Sequence, residues 1–196
     1  MAPRGGKIYN GGAAPPVQSA SLARPAPHPA PDGARLATRM LHVALWEPEI
    51  PPNTGNVARL CAATGARLHL VGRLGFRLDD KSLKRAGLDY WPAVDWVRHA
   101  TLEEFERTLG ASPGTAVPGL WVVETPADVS YTRAAFRDGD VLLFGSESKG
   151  LPPGVRERHA GRVVGVPMPT GAVRSLNLAT TVGIVLYEAL RQVHDW

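Results

Sequence analysis

The chain is 196 residues long, enough for one α/β domain with a sizeable core and too short for two comfortable ones. A single cysteine, Cys61, excludes an internal disulfide framework, and no apolar run nears the roughly 20 residues that cross a bilayer as a helix. The formal charge of +4 suggests a polyanionic partner, but residues 1–39 hold Arg4, Lys7, Arg24, Arg35 and Arg39 against only Asp32; the remainder is balanced, so any nucleic-acid surface has to be local.

Residues 1–39 are rich in Ala, Pro and Gly with almost no large apolar side chains. Such a segment cannot offset its ordering entropy by burial and is expected to be a disordered extension ahead of a folded domain at 40–196. It lacks the apolar centre of a secretory signal and shows no amphipathic period, although its Arg content and lack of acids faintly resemble an organelle transit peptide. With the lone cysteine, this points to a reducing, cytoplasmic location.

From Leu41 short apolar strands alternate with helical segments, the signature of a parallel sheet with crossover helices. Strands are expected at Leu41–Trp46, Arg67–Val71, Val94–Val97, Leu120–Val123, Val141–Phe144 and Val163–Val166. The prolines of Glu47–Pro52 forbid helix and central strand, so a helix is expected to begin at Asn53 or Thr54 and to stop at Gly65. A second helix is expected at about Leu102–Leu109, and a long apolar one closes the chain over Leu178–Leu190.

Three loops carry the candidate chemistry. In Asn53-Thr-Gly-Asn56, Asn and Thr are good caps and Gly55 permits close backbone approach. Arg59, a guanidinium one turn above the helix start, is well placed to hold a phosphate. The second loop, Gly145–Gly150, has the glycine spacing of a phosphate loop, but Leu151 and Pro152 follow where Lys and Ser/Thr are needed. Its Ser146-x-x-Lys149 lacks the helix and the Lys-Thr-Gly of acylating serine enzymes. What remains is a glycine-bounded loop at the carboxyl end of a strand, the usual ligand position in an open α/β sheet. The third loop brings Arg174, Ser175 and Asn177 to the mouth of the last helix, as caps or as an anion site. Metal chemistry is not expected, since Cys61 is alone and His28, His42, His69, His99, His159 and His194 have no ligand spacing. A dinucleotide site is not expected either, because no Gly-x-Gly-x-x-Gly follows a strand.

Taken together the loops resemble a known family. Leu45-Trp-Glu-Pro-Glu-Ile-Pro-Pro-Asn-Thr-Gly-Asn56, Phe144-Gly-Ser-Glu-Ser-Lys-Gly-Leu-Pro152 and Val166-Pro-Met-Pro-Thr-Gly-Ala-Val-Arg-Ser-Leu-Asn-Leu178, in that order, are similar to the motifs of the SPOUT superfamily of knotted methyltransferases. The likeness is to the TrmL (YibK) branch, the tRNA wobble-nucleotide ribose 2′-O-methyltransferases. It extends to Gly75-Phe76, Asp79-Asp80-Lys81, Arg85–Tyr90 and Tyr187–Gln192, and covers 40–192.

The resemblance implies an α/β-knot fold with a mostly parallel sheet and a C-terminal deep trefoil knot, and a homodimer formed through the knotted face. It implies an S-adenosyl-L-methionine site contacted by Val123, Gly145, Leu151, Val166 and Ser175. Arg59 matches an arginine tied to catalysis; Asn177 and Glu147 match positions that support the site, and Tyr187 one implicated in substrate handling. Lys149, Leu176 and Leu190 stand where arginine, methionine and tryptophan are common. A tRNA surface is expected on Arg73, Arg77, Lys81, Lys84 and Arg85, with Arg156 and Arg158, against the alternative of a solvated charged face. No membrane and no metal partner is expected.

Overall fold

The structure is a computed structural model that describes residues 40–76, 91–112 and 114–196. The expectations for residues 1–39 and for Arg77, Lys81, Lys84 and Arg85 lie outside these residues.

Six strands, β1 (His42–Trp46), β2 (Arg67–Val71), β3 (Trp96–His99), β4 (Leu120–Val123), β5 (Val141–Phe144) and β6 (Val163–Val164), form one parallel sheet in the order β3-β2-β1-β5-β4-β6. The mostly parallel α/β class is as expected, and β2, β4 and β5 have the expected bounds. β3 lies two residues later than its apolar pattern suggested. Trp91–Ala93 form a 3₁₀ turn closed by Val94 N–H donating to Trp91 O at 3.1 Å, so buried Val94 anchors a turn and pairing starts at Trp96. β6 is shorter than expected because Gly165 leaves the sheet edge: its N–H donates to Val129 O, and its own C=O accepts from Tyr131 N–H.

Among the described residues four α-helices cover the sheet: α1 (Pro51–Thr64), α2 (Leu102–Thr108), α3 (Val155–Arg158) and α4 (Leu178–His194). α1 begins two residues before the expected start. Pro51 and Pro52 occupy its first turn, where the missing N–H costs nothing and the fixed φ already suits a helix. It ends as expected, with Gly65 left-handed at φ 73°.

Side chains alternate across each strand, and this alternation divides the core in two. Val43, Leu45, Leu68, Leu70, Leu142 and Phe144 face α1 and α4, meeting Val57 and Cys61 on one helix and Val182, Val185 and Leu186 on the other. Ala44, Val71, Val122 and Leu143 face α2 and α3, meeting Leu102, Phe105 and Val155. β4 and β5 are buried on both faces, which is why they read as unbroken apolar runs. Leu190 is core, 3% exposed, so the leucine there packs inside the domain instead of meeting another surface. Burial pushes the Cys61 thiol up to about 12 and leaves it unreactive.

Two polar elements are built into these layers. Asp140, buried just ahead of β5, accepts from Trp121 Nε1–H at 2.7 Å and from Arg137 N–H at 2.9 Å. Asp140→Ala should cost about 2–3 kcal/mol by orphaning the indole N–H, a fall of roughly 5–10 °C in melting temperature. Asp140→Asn, which keeps an acceptor, should lose less in the same melt. On the α2 face, His42, His69 and His99 stand in line across β1, β2 and β3. His42 Nδ1 is 2.9 Å from His69 Nε2, and His69 Nδ1 is 2.9 Å from His99 Nε2. Phe105 packs edge-on against the second and third rings. The sequence gives this no signal, since parallel pairing decides which residues meet. The row is linear and converges on no centre, and among the described residues no three or more His, Cys, Asp or Glu side chains are arranged to hold a metal ion.

Candidate active site

The chain winds outward from β1 through β2 to β3, then crosses to β4, β5 and β6 on the other side of β1, so the loops after β1 and β5 diverge at the sheet's carboxyl edge. A cavity of about 740 Å³ opens there. Its walls come from the start of α1, the residues after β4, the loop after β5, and Arg174–Leu178 at the mouth of α4.

One hydrogen-bond chain ties three of these walls. The Glu147 carboxylate accepts from Glu49 N–H at 2.8 Å, Ile50 N–H at 3.3 Å and Asn53 Nδ2–H at 2.9 Å. Asn53 Oδ1 accepts from Asn177 Nδ2–H at 2.9 Å, and Asn177 Oδ1 accepts from Ala179 N–H at 2.9 Å and Thr180 N–H at 3.3 Å. A carboxylate can only accept, so it dictates the Asn53 orientation, which dictates that of Asn177, which leaves the Asn177 oxygen for the helix. Glu147 thus holds the chain at the entry to α1 and sets a negative charge beside the positive end of that helix, from nearly 100 residues away. Glu49 returns the contact, accepting from Ser148 N–H at 3.0 Å and Ser148 Oγ–H at 2.7 Å. Asn53 is therefore not a cap, as its sequence suggested, but a buried link inside α1.

Gly145 is required by its neighbours. A Cβ there would stand 2.3 Å from the Gly150 carbonyl carbon and 2.6 Å from Leu151 N, both backbone, so the loop can fold back on itself only at a glycine. Ser146 and Gly150 close that turn with reciprocal backbone bonds of 3.0 Å.

Of the residues picked out from sequence, Val123, Gly145, Ser175 and Asn177 line the cavity, with Lys149, Arg174 and Leu176 beside them. Leu151 and Val166 do not. The Leu151 side chain, one residue past a turn that makes the wall, packs on the α2–α3 core, and Val166 packs on the α1–α4 core. Arg59 is also outside. It lies six positions along the helix from Asn53, which turns it to the exposed side of α1. There it borders a second depression of about 470 Å³ between α1 and α4, which shares Asn177 with the main cavity. Tyr187 is exposed on α4, about 15 Å along the helix from Asn177. The second basic cluster is not a free face: Arg158 pairs with buried Glu106 at 2.7 Å, Arg162 lies over the Trp121 ring, and Arg156 donates to Pro126 O at 2.7 Å. Sequence reasoning missed Glu124, Leu178 and Thr181 in the wall. Glu124 was findable, being the first polar residue after an apolar strand.

The profile of the SpoU rRNA Methylase family matches residues 40–187. This chain belongs to that family. A tRNA (cytidine(34)-2′-O)-methyltransferase of Methylovorus glucosotrophus is 45% identical over 80% of this SpoU-family chain and 97% of its own length. A solved structure described as giving insight into the 2-OH methylation of C/U34 on tRNA is 48% identical, with a TM-score of 0.71 over 81% of this chain and 99% of that one. An AdoMet-bound rRNA methyltransferase of Sinorhizobium meliloti is 31% identical, with a TM-score of 0.64 over 78% of this chain and 56% of that one.

S-adenosyl-L-methionine is the cofactor of this family, and the cavity of this SpoU-family chain suits it. The volume is that of a small-molecule site. Val123, Phe144 and Leu178 offer apolar wall for a flat ring, while the glycine-only turn at Gly145 and Gly150 lets backbone approach a ligand closely.

Proposed function

We propose that this chain transfers a methyl group from S-adenosyl-L-methionine to the ribose 2′-hydroxyl of the wobble nucleotide, cytidine or uridine 34, of tRNA. The observation that carries this reading is the three-loop cavity held by Glu147, Asn53 and Asn177, in a chain whose near full-length relatives have that activity.

Bound S-adenosylmethionine supplies an electrophilic methyl carbon on a sulfonium sulfur. The ribose oxygen forms the new bond to that carbon as the carbon–sulfur bond breaks, its electron pair leaving with a neutral thioether. The hydroxyl proton passes to a neighbouring phosphate or to water. Val123, Gly145 and Ser175 hold the donor, and Asn177 fixes the lip between the cavity and the Arg59 depression. Orientation of the two reactants is the main contribution asked of the protein. Arg59 is not a base, because a guanidinium stays protonated in proteins. It clamps the phosphate next to the reacting ribose.

A second copy of the chain fits the face made by α1 and α4, where Arg59, Ala63, Thr180 and Tyr187 are exposed beside half-buried Leu60 and Ile184. The trefoil threading implied by resemblance accords with α4 returning from the β6 edge to pack on α1. Exposed Arg73, with Arg77, Lys84 and Arg85, would carry tRNA phosphates in the cytoplasm.

The alternative is a ribose of ribosomal RNA, which the family description favours. Incubation with labelled S-adenosylmethionine and separate tRNA and rRNA pools, followed by nuclease mapping, decides between them. The label is expected at position 34 of tRNA, and labelled rRNA with unlabelled tRNA would replace this reading. In the same assay Arg59→Lys should lower turnover by about 100-fold, since a lysine ammonium cannot make the bidentate contact. Near-full turnover would remove the clamp.

A further inference from the structure

We propose that Glu124 reads the ribose of the cofactor, its carboxylate accepting from the hydroxyls of the adenosyl sugar. The inference rests on the reading of the main cavity as the cofactor site.

Glu124 is the first residue past β4. Its N–H donates to Val164 O at 3.0 Å, which fixes its backbone between β4 and β6 at the cavity floor. The side chain turns over the loop after β5. Oε1 lies 3.4 Å from Leu151 N, and 3.0 Å from where a Cβ on Gly150 would stand. Oε2 lies 3.7 Å from Arg156 Nη1, a guanidinium nitrogen already donating to Pro126 O at 2.7 Å. Both contacts are longer than a full hydrogen bond of about 2.7–3.2 Å.

The cavity has two carboxylates, and they differ in what they have left to give. Glu147 is taken up by three donors from α1 and the residues before it. Glu124 is positioned without being saturated, so it keeps lone pairs for a ligand. Its neighbours Val123 and Phe144, with Leu178, form the apolar wall suited to adenine. A sugar attached to a ring on that wall reaches the strand-end carboxylate. In dinucleotide-binding α/β folds an acid accepts from a ribose hydroxyl in this way.

The other service a carboxylate could offer is attraction for the cationic sulfonium. Here Arg156 at 3.7 Å, and Lys149 in the same cavity, offset its charge while leaving its acceptor capacity intact. The diol is the better match.

The test is calorimetric titration of the full chain with S-adenosylhomocysteine, its 2′-deoxy and 3′-deoxy ribose analogues, and S-adenosylmethionine. Wild type should bind the parent thioether about 10- to 100-fold more tightly than at least one deoxy analogue, the range for one charge-assisted hydrogen bond. Glu124→Ala should bind parent and analogues alike, and Glu124→Gln, with one acceptor kept, should fall between. A Glu124→Ala variant that still discriminates the deoxy sugar overturns the proposal. So does one that loses S-adenosylmethionine but not S-adenosylhomocysteine, which would assign the carboxylate to the sulfonium. Ser175→Trp fills the cavity from an exposed lining position and serves as the control. If it leaves all binding unchanged, the cavity reading fails; if it blocks binding while Glu124→Ala keeps sugar discrimination, only the ribose assignment does.

Discussion

Glu147→Ala is expected to lower turnover by about 100- to 1,000-fold at saturating cofactor and to cost roughly 3 kcal/mol of stability. The carboxylate is the acceptor-only end of the chain through Asn53 and Asn177, so its removal does more than delete three bonds. The N–H groups ahead of α1 lose their acceptor, and nothing then dictates the Asn53 amide orientation. A flipped Asn53 presents its NH₂ to the Asn177 NH₂, and Asn177 can relieve that clash only by withdrawing its oxygen from Ala179 and Thr180 at the start of α4. Two walls of the cavity are thereby released together. A shift of an ångström in a site that works by orientation is worth about 100-fold, which sets the lower end of the expected loss. Glu147→Gln keeps one acceptor oxygen and should fall between wild type and Glu147→Ala. Steady-state kinetics beside thermal melts separate two cases. A lower melting temperature with kcat unchanged would make the chain a purely structural brace.

Acidification should unfold the protein through the histidine row. Burial holds His42, His69 and His99 below the usual imidazole range, and for His69 burial, the two neighbouring rings and Arg67 bring the value to about 3. In the unfolded chain each imidazole returns to about 6.5. Below that pH the unfolded state takes up protons the folded state refuses, so stability is fully present above pH 6.5 and is lost as pH falls toward the folded value. His69 alone contributes roughly 1.4 kcal/mol per pH unit once below 6.5, and about 5 kcal/mol over the whole window. In a row of neutral rings each 2.9 Å contact pairs one N–H with one bare nitrogen. Urea midpoints measured from pH 7.5 to 5.5 should fall steeply, and His69→Gln should flatten the dependence by about one proton. An unchanged slope in that variant would clear the row of any part in acid sensitivity.

The sequence carried most of the architecture because the relevant signals are local. Apolar runs of four or five residues between Gly, Pro and polar segments marked β2, β4 and β5 to the residue, and Gly65 and Thr64 marked the end of α1. The errors arose where a local rule had a second solution. Prolines that break a helix interior are at home in its first turn, so α1 began early; Val94 could be ladder or turn anchor, and a proline-containing turn made it the latter.

At the site, the glycine-bounded loop and the polar mouth of α4 were legible by themselves, and resemblance supplied the cofactor and the matching residues. Val123, Gly145, Ser175 and Asn177 do share one cavity. Leu151, Val166 and Arg59 do not: the Leu151 and Val166 side chains turn into the two cores, and six positions along α1 rotate Arg59 away from Asn53. Composition, periodicity and turn chemistry therefore determined which elements exist and which loops end at the carboxyl edge of the sheet. Tertiary structure alone decided that Glu147 holds the start of a helix formed far earlier in the chain, and that three histidines meet in a row. Each of those contacts depends on strand order, which sets which distant residues become neighbours and leaves no periodic trace in the sequence.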